Sequence, residues 1–261
     1  DPATFDGVKR FFSGLGCKRP LIWIYDPFSY DLANNLDASF KLYHATENYL
    51  YRGDLEIGGV WNEVQEILRE GTENLLKLVD LTVAVSDGVY KTITSANVAS
   101  GSVELVENGN DADFWLDKKS YEFVPTESQL PVVLYQGGVN RRLDFELIHE
   151  VVLSMPDWDF WFCGIEDESI DSWRMIKRHP NVKYHGKLTV AGVAELSKRA
   201  TVGWIPFVDS EVLSTSMPLK SYEYLACGLP VVSTPITGLL GKDQRLFQFG
   251  RSSREHETLI R

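Results

Sequence analysis

The stretch SMPLKSYEYLACGLPVVST, residues 216–234, decides the reading of this chain. Ser216 is expected to cap a helix with Pro218 at its first position, where a missing N–H costs nothing. Leu219, Tyr222, Leu225 and Ala226 recur at helical spacing and predict one buried face. Gly228 stops the helix just past its end, and residues 229–233 read as a short buried strand. That pattern does not require Lys220 and Glu223, which stand three apart and share a side near the helix's positive end. The backbone at Ser216, Met217, Pro218 and Leu219, with a lysine and a carboxylate beside it, suits a diphosphate and the hydroxyls attached to it.

A second segment, VVLYQGGVNRRLDFELI at residues 132–148, reads as a buried strand, a glycine turn and an amphipathic helix. Gly137 and Gly138 let the backbone approach a ligand closely. Arg141 and Arg142 stand at the entrance to the helix, where guanidinium groups can pair with phosphate oxygens. A glycine pair after a strand is by itself most often a plain turn. The two arginines give it chemical content.

Around these segments, apolar runs alternate with longer amphipathic stretches. Strands are expected at residues 21–25, 40–44, 81–86 and 103–107, then at 132–135, 160–163, 182–185, 202–206 and 229–233. A helix is expected over residues 62–79 on the apolar positions Val64, Ile67, Leu68, Leu75, Leu76 and Val79, with Gly71 weakening its middle. Further helices are expected at 143–153 and 190–198, with a short one at 5–12. Such alternation predicts an α/β chain of parallel sheets covered on both faces. The polar segment 117–129 marks a boundary between domains at 1–127 and 128–261. The first of these shows about four strands, fewer than a complete doubly wound sheet, so it is expected to be incomplete.

Composition narrows the partners. Net charge is −11, and residues 1–127 hold 11 Lys and Arg against 21 Asp and Glu, a balance of −10. The remaining 15 against 16 give −1, so the second half can accept a small anion while the first repels nucleic acid and anionic lipid. No apolar run approaches the ~20 residues of a membrane span. Cys17, Cys163 and Cys227 are scattered and odd in number, which favours a reducing, cytoplasmic setting and no metal site.

The two segments together resemble the second domain of GT-B glycosyltransferases, in particular the group 1 family. The family's Glu before Ala-Met-Ala-Cys-Gly-Leu-Pro-Val-Val reads here Glu223-Tyr-Leu-Ala-Cys-Gly-Leu-Pro-Val-Val. A second Glu that the family often has eight positions earlier is Thr215, and Pro218-x-Lys220-x-x-Glu223 follows a variant of bacterial surface-polysaccharide assembly. The resemblance implies two Rossmann-like domains facing a cleft and a nucleotide-diphosphate sugar as donor. Glu223 is then expected on the ribose hydroxyls and Lys220 on the diphosphate. The grip on the sugar falls to the backbone of residues 216–219 or to Glu211. Where the family has an arginine directly after its first glycine, this chain has Gly138, so Arg141 or Arg142 supplies that charge.

NVKYHGKL, residues 181–188, is similar to the family's base-binding turn and places His185, Gly186 and Lys187 at the nucleobase. Asn108-Gly109-Asn110-Asp111 corresponds to the family's Asn-Gly-Val-Asp, with a structural role in leading the chain into the second domain. His44 closes the strand FKLYH, where many members have a His that contacts the donor sugar or its diphosphate.

The implied activity is hexosyl transfer to a hydroxyl of a saccharide or lipid-linked acceptor, with retention of configuration, without a metal or other cofactor. Peripheral membrane contact is expected only through parts outside this chain. Two other readings stand beside it: a sugar-nucleotide epimerase or phosphorylase on the same fold, which would share the donor site, and a non-catalytic GT-B-like binding or assembly module.

Overall fold

The computed structural model describes residues 2–50, 60–116, 130–210, 213 and 215–261. The chain divides into two compact units, Asp1–Asn108 and Gly109–Arg261. Segment 117–129, expected to hold the boundary, lies outside the described residues, as does Glu211. No described helix is long and apolar enough to cross a membrane.

The first unit runs α1 (Pro2–Gly14), β1 (Leu21–Ile24), a 3-10 turn (Pro27–Ser29), α2 (Tyr30–Asn35), β2 (Phe40–Ala45), α3 (Val60–Leu78), β3 (Leu81–Ala84), α4 (Asp87–Ala96) and β4 (Ser102–Leu105). Its strands pair in chain order, β1-β2-β3-β4, all parallel. Successive right-handed crossovers in that order deliver their helices to one face. The core accordingly joins Ile24, Tyr43, Ala45 and Ala84 from alternate strand positions to Ala33, Leu75, Leu76, Val79, Val89 and Ile93. On the other face Leu21 and Trp23 stay more than half exposed.

Helix α3 is continuous through Gly71 and begins at Val60, although the sequence suggested a weak middle. A Cβ at Gly71 would stand 2.5 Å from Pro27 O, so the missing side chain is what lets the 3-10 turn lie against the helix. Ile67, expected on the buried face, is 51% exposed, and the buried positions concentrate in the last two turns at Thr72, Leu75, Leu76 and Val79.

The second unit runs α5 (Ala112–Trp115), β5 (Val132–Gln136), α6 (Phe145–Ser154), β6 (Asp159–Cys163), α7 (Asp171–Ile176), β7 (Val182–Tyr184), α8 (Val190–Ser197), β8 (Val202–Ile205), α9 (Leu219–Ala226), β9 (Val231–Ser233), α10 (Thr237–Leu240), β10 (Phe247–Phe249) and α11 (Ser253–Ile260). Its six parallel strands lie in the order β10-β9-β8-β5-β6-β7. All five residues of β5 and of β6, and all four of β8, are buried, as expected of strands covered on both faces. The strand order reverses between β5 and β8, and ligands of such sheets bind at the carboxyl ends of the strands at that reversal.

Strand β10 and helix α11 were not foreseen. The capping box of Ser252 and Glu255 starts α11. It is then pinned to β8 from within the core: Trp204 Nε1 donates to His256 Nδ1 at 3.0 Å, and His256 Nε2 lies 3.0 Å from Gly250 O. With Nδ1 accepting, Nε2 carries the proton and donates, so the ring is neutral, as its burial favours.

Candidate donor site at the strand-order reversal

Helix α9 sits at the reversal because one side chain wedges it there. Tyr224 is fully buried, and a Cβ at Gly203 in β8 would come within 2.4 Å of its ring. The Tyr224 hydroxyl then accepts from Gln136 N at 2.8 Å, so α9 is held to both strands flanking the reversal. This shifts the expected helix face, of which Tyr222 and Leu225 do pack partly buried against the core. Ser221 and Tyr224 are the buried positions, while Leu219 is 47% exposed. Ser216 is not the cap either: its Oγ donates to Leu213 O at 2.7 Å, and Pro218 occupies the N-cap position with no side-chain cap bond. Met217 is buried, and Ser216 O packs where a Cβ on Gly238 would intrude to 2.7 Å. Gly228 ends the helix in the left-handed region at φ 77°, as its position suggested.

With Tyr224 inward, Lys220 and Glu223 turn together toward the carboxyl end of β5. Lys220 Nζ donates to Tyr135 Oη at 3.2 Å and stands 4.3 Å above the Tyr135 ring centroid and 4.9 Å from that of Phe207. Tyr135 Oη in turn donates to Gly138 O at 2.8 Å, so one phenol orients both the ammonium and the glycine turn. A Cβ at Gly137 would lie 2.6 Å from Lys220 Nζ. The lysine therefore fills the space that the glycine leaves free. Burial pushes the Lys220 ammonium down to about 7, helped by the charge of Arg142 and opposed by Glu223. Glu223 is half-buried and accepts from Gln136 Nε2. Burial raises its carboxyl above the ordinary range, and Lys220 and Gln136 pull it back.

The glycine turn is braced on both sides. Val139 N donates to Ile165 O and Asp167 N to Val139 O, each at 2.9 Å, while Asp144 N reaches Pro206 O and Val208 N reaches Arg142 O, also at 2.9 Å. Helix α6 is capped by Asp144, whose carboxylate accepts from Leu147 N at 2.9 Å. The two arginines separate in role. Arg142 is felt by Lys220 and Tyr135. Arg141 adds to the hydrogen bonds from Ser169 that hold the Asp167 carboxyl below its usual range. Arg142 is thus the arginine whose charge reaches the lysine.

The turns after β6 and β7 continue this rim. Gly164 N donates to Gly186 O at 2.9 Å, with Gly164 at φ 140° and Gly186 at φ 68°. His185 and Lys187 flank that glycine and are exposed. The His185 ring lies 5.2 Å from that of Trp161, and partial desolvation, with the charges of Lys183 and Arg199, lowers its pKa. Asn110, which replaces the family's Val, donates to Tyr222 O of α9 at 2.9 Å, while Asp111 caps α5 by accepting from Phe114 N at 3.2 Å. His44 belongs to the first unit, where it packs against Tyr25 at 5.2 Å and Trp23 at 6.0 Å, and burial lowers its pKa. Among the described residues, no three His, Cys, Asp or Glu side chains converge as metal ligands would.

One unit therefore brings together Gly137, Gly138, Arg142, Lys220 and Glu223, with His185, Gly186 and Lys187 two strands away. The residues that sequence reasoning passed over are Tyr135, Gln136, Gly164 and Phe207. Of these only Gly164 carried a local signal, as a glycine directly after the buried run FWFC.

The sequence model of the family "Glycosyl transferases group 1" matches residues 131–253. A putative teichuronic acid biosynthesis glycosyltransferase, TuaH of Bacillus subtilis (strain 168), is 28% identical over 174 residues, 65% of this chain and 44% of that protein. The chain thus spans less than half the length of this curated relative. Sucrose-phosphate synthase from Thermosynechococcus elongatus is similar in fold at TM-score 0.74 and 15% identity, over 99% of this chain and 66% of that one. Anabaena HepE, solved with UDP and glucose, matches at TM-score 0.62 and 15% identity, over 91% of this chain and 67% of that one. The chain has the α/β fold of the GT-B glycosyltransferases, and its residues 131–253 match the sequence model of the group 1 glycosyl transferases.

Proposed function

We propose that this chain is the donor-binding part of a glycosyltransferase that moves a hexosyl group from a nucleoside-diphosphate sugar to an acceptor hydroxyl in surface-polysaccharide assembly. The observation that carries this reading is the meeting of Lys220 and Glu223 beside the Gly137–Gly138 turn at the reversal of strand order. In this reading Lys220 and Arg142 meet the charge that grows on the diphosphate as the glycosidic bond breaks. Glu223 accepts from vicinal ribose hydroxyls, which a carboxylate does with two oxygens. The turn at His185–Gly186–Lys187 is assigned to the nucleobase. His44 keeps the catalytic assignment that the family resemblance gives it. Retention of configuration, independence of metals and other cofactors, and a saccharide or lipid-linked acceptor belong to the same proposal, and the teichuronic acid assignment of the Bacillus relative supports the polysaccharide setting.

Thermal shift against uridine, guanosine, thymidine and adenosine diphosphates tests it. A ligand present at 100 times its Kd adds about 2.7 kcal/mol to the folded state, so the preferred base stands out by its rise in Tm. No shift with any of the four rejects the proposal. Glu223→Ala is expected to weaken binding of that diphosphate by about 1.5–3 kcal/mol, the range for a lost charged hydrogen bond. Calorimetric titration of the variant measures this. Unchanged affinity would remove Glu223 from the site.

A further inference from the structure

Gln136, the last residue of β5, is 5% exposed, and the two ends of its amide are treated very differently. Nε2 donates to Glu223 Oε2. A carboxylate only accepts, so this contact fixes which end of the amide is nitrogen. The other end, Oε1, is buried and has no hydrogen-bond partner among the described residues. The backbone N–H of the same residue is satisfied by Tyr224 Oη at 2.8 Å, so the orphan belongs to the side chain alone.

Leaving a buried amide oxygen unpaired costs about 1–3 kcal/mol, and most buried polar atoms avoid it. The orphan stands one residue before the Gly137–Gly138 turn, at the carboxyl end of a strand that flanks the reversal, and its own amide is bonded to the acid of the site. A free acceptor there is matched by a ligand that brings a donor. A vicinal diol brings two O–H donors side by side. The Glu223 carboxylate together with the amide oxygen next to it offers acceptors on both.

We propose that Gln136 is a second diol-binding residue of the donor site: Oε1 accepts from one ribose hydroxyl, while the Glu223 carboxylate that Nε2 holds in place accepts from the other. This rests on the nucleoside-diphosphate reading above and extends it to specificity. A site with a buried amide oxygen and a half-buried carboxylate waiting for two hydroxyls discriminates against a sugar that lacks them, because both acceptors then stay unpaired. The pocket selects ribonucleotides over deoxyribonucleotides, and Gln136 supplies a share of that selection in addition to Glu223.

The test is calorimetric titration of the full chain with uridine, guanosine and adenosine diphosphates and with their 2′,3′-dideoxy counterparts, for wild type and for Gln136→Met. Methionine keeps the length of the side chain and removes both polar atoms. The preferred ribonucleotide is expected to bind the wild type at least about tenfold tighter than its dideoxy form. In Gln136→Met that preference shrinks by about tenfold, with affinity for the dideoxy compound unchanged within about twofold. Unchanged dideoxy affinity also shows the variant to be folded. Equal loss for both compounds would mean that Gln136 only supports the local structure, and an unaltered preference would mean that it touches no hydroxyl; either result overturns the proposal while nucleotide binding stands. Absence of binding by every diphosphate to the wild type overturns the underlying reading as well. Because Gln136→Met also releases Glu223, a crystal of the wild type with the preferred diphosphate separates direct contact from positioning: Oε1 within hydrogen-bond distance of a ribose oxygen supports the assignment, and Oε1 bonded elsewhere or left bare removes it.

Discussion

If the chain turns over as proposed, Lys220→Met is expected to lower kcat by about 10²–10³, with a smaller effect on the affinity for the nucleoside portion of the donor. The size follows from what removing one preorganised donor costs where charge develops in the transition state. Methionine retains most of the stem that lies between Tyr135 and Phe207, so packing is kept and the ammonium alone is lost. The same lysine predicts a pH dependence. Burial, with the charge of Arg142, brings the ammonium of the unliganded protein down to about 7. The charged form that meets a diphosphate is therefore full below pH 7 and is depleted above it. kcat/KM, which reports the free protein, is expected to fall as pH rises through about 7 and then by about tenfold per pH unit. Bound diphosphate favours the charged form, so the corresponding limb of kcat lies at higher pH. Lys220→Met lacks this limb altogether. A profile flat from pH 6 to 9 in the wild type, or a variant with undiminished turnover, would show that Lys220 is a structural cation.

That lysine also shows where sequence reading succeeds and where it stops. Lys220 and Glu223 were legible because their relation is local: three residues apart on a helix whose end is set by Gly228, they must share a side. The rest of their surroundings is non-local. Tyr135 comes from β5, Phe207 from the segment after β8, and the two rings meet around Nζ only once the strand order has brought those strands together. The orientation of the helix was misread for the same reason. Leu219, Tyr222 and Leu225 carry the apolar period, yet Gly203 on β8 leaves a hollow that accepts Tyr224, and that fit overrides the period by turning Leu219 outward. Ser216 fails as a cap because its hydroxyl finds Leu213 O within its own turn first.

The sheets follow the same division. Nine strands were legible as β-branched or aromatic runs bounded by turns. The tenth, FQF at β10, is three residues long, at the sheet edge, and presents no period of its own. What completes it is the pair Trp204 and His256, fifty-two positions apart in the chain. In the first unit Gly71 looked like a weak point in a helix; against Pro27 it is the condition for close packing. A glycine's meaning depends on the neighbour it admits, and neither neighbour is near it in sequence.

Gly164 carries the largest consequence of that kind, and Gly164→Ala is expected to destabilise the second unit by about 3 kcal/mol. Two costs add. The residue sits at φ 140°, a conformation that side chains rarely adopt, worth about 1–3 kcal/mol. A Cβ there would also stand 1.9 Å from Gly137 O and 2.5 Å from Gly137 C, against backbone that is itself hydrogen-bonded through Gly137 N to Cys163 O at 2.8 Å. Relief requires moving one strand end away from the other, and overpacking of this sort costs about 1–3 kcal/mol. At about 2–4 °C per kcal/mol for a chain of this size, Tm falls by roughly 6–12 °C in a calorimetric scan. Gly241→Ala is the control, since nothing lies within 4 Å of its Cβ position and its φ is −87°; its Tm stays within about 2 °C of wild type. The displacement also reaches the site, because the strand end that must yield is the turn against which Lys220 Nζ rests. Diphosphate affinity is therefore lost along with stability, measured at a temperature where the variant is still folded. If Gly164→Ala melted with the control and bound as tightly as wild type, the backbone contact between the two glycine turns would not exist in solution, and with it would go the physical reason for placing a phosphate-binding turn at this end of β5.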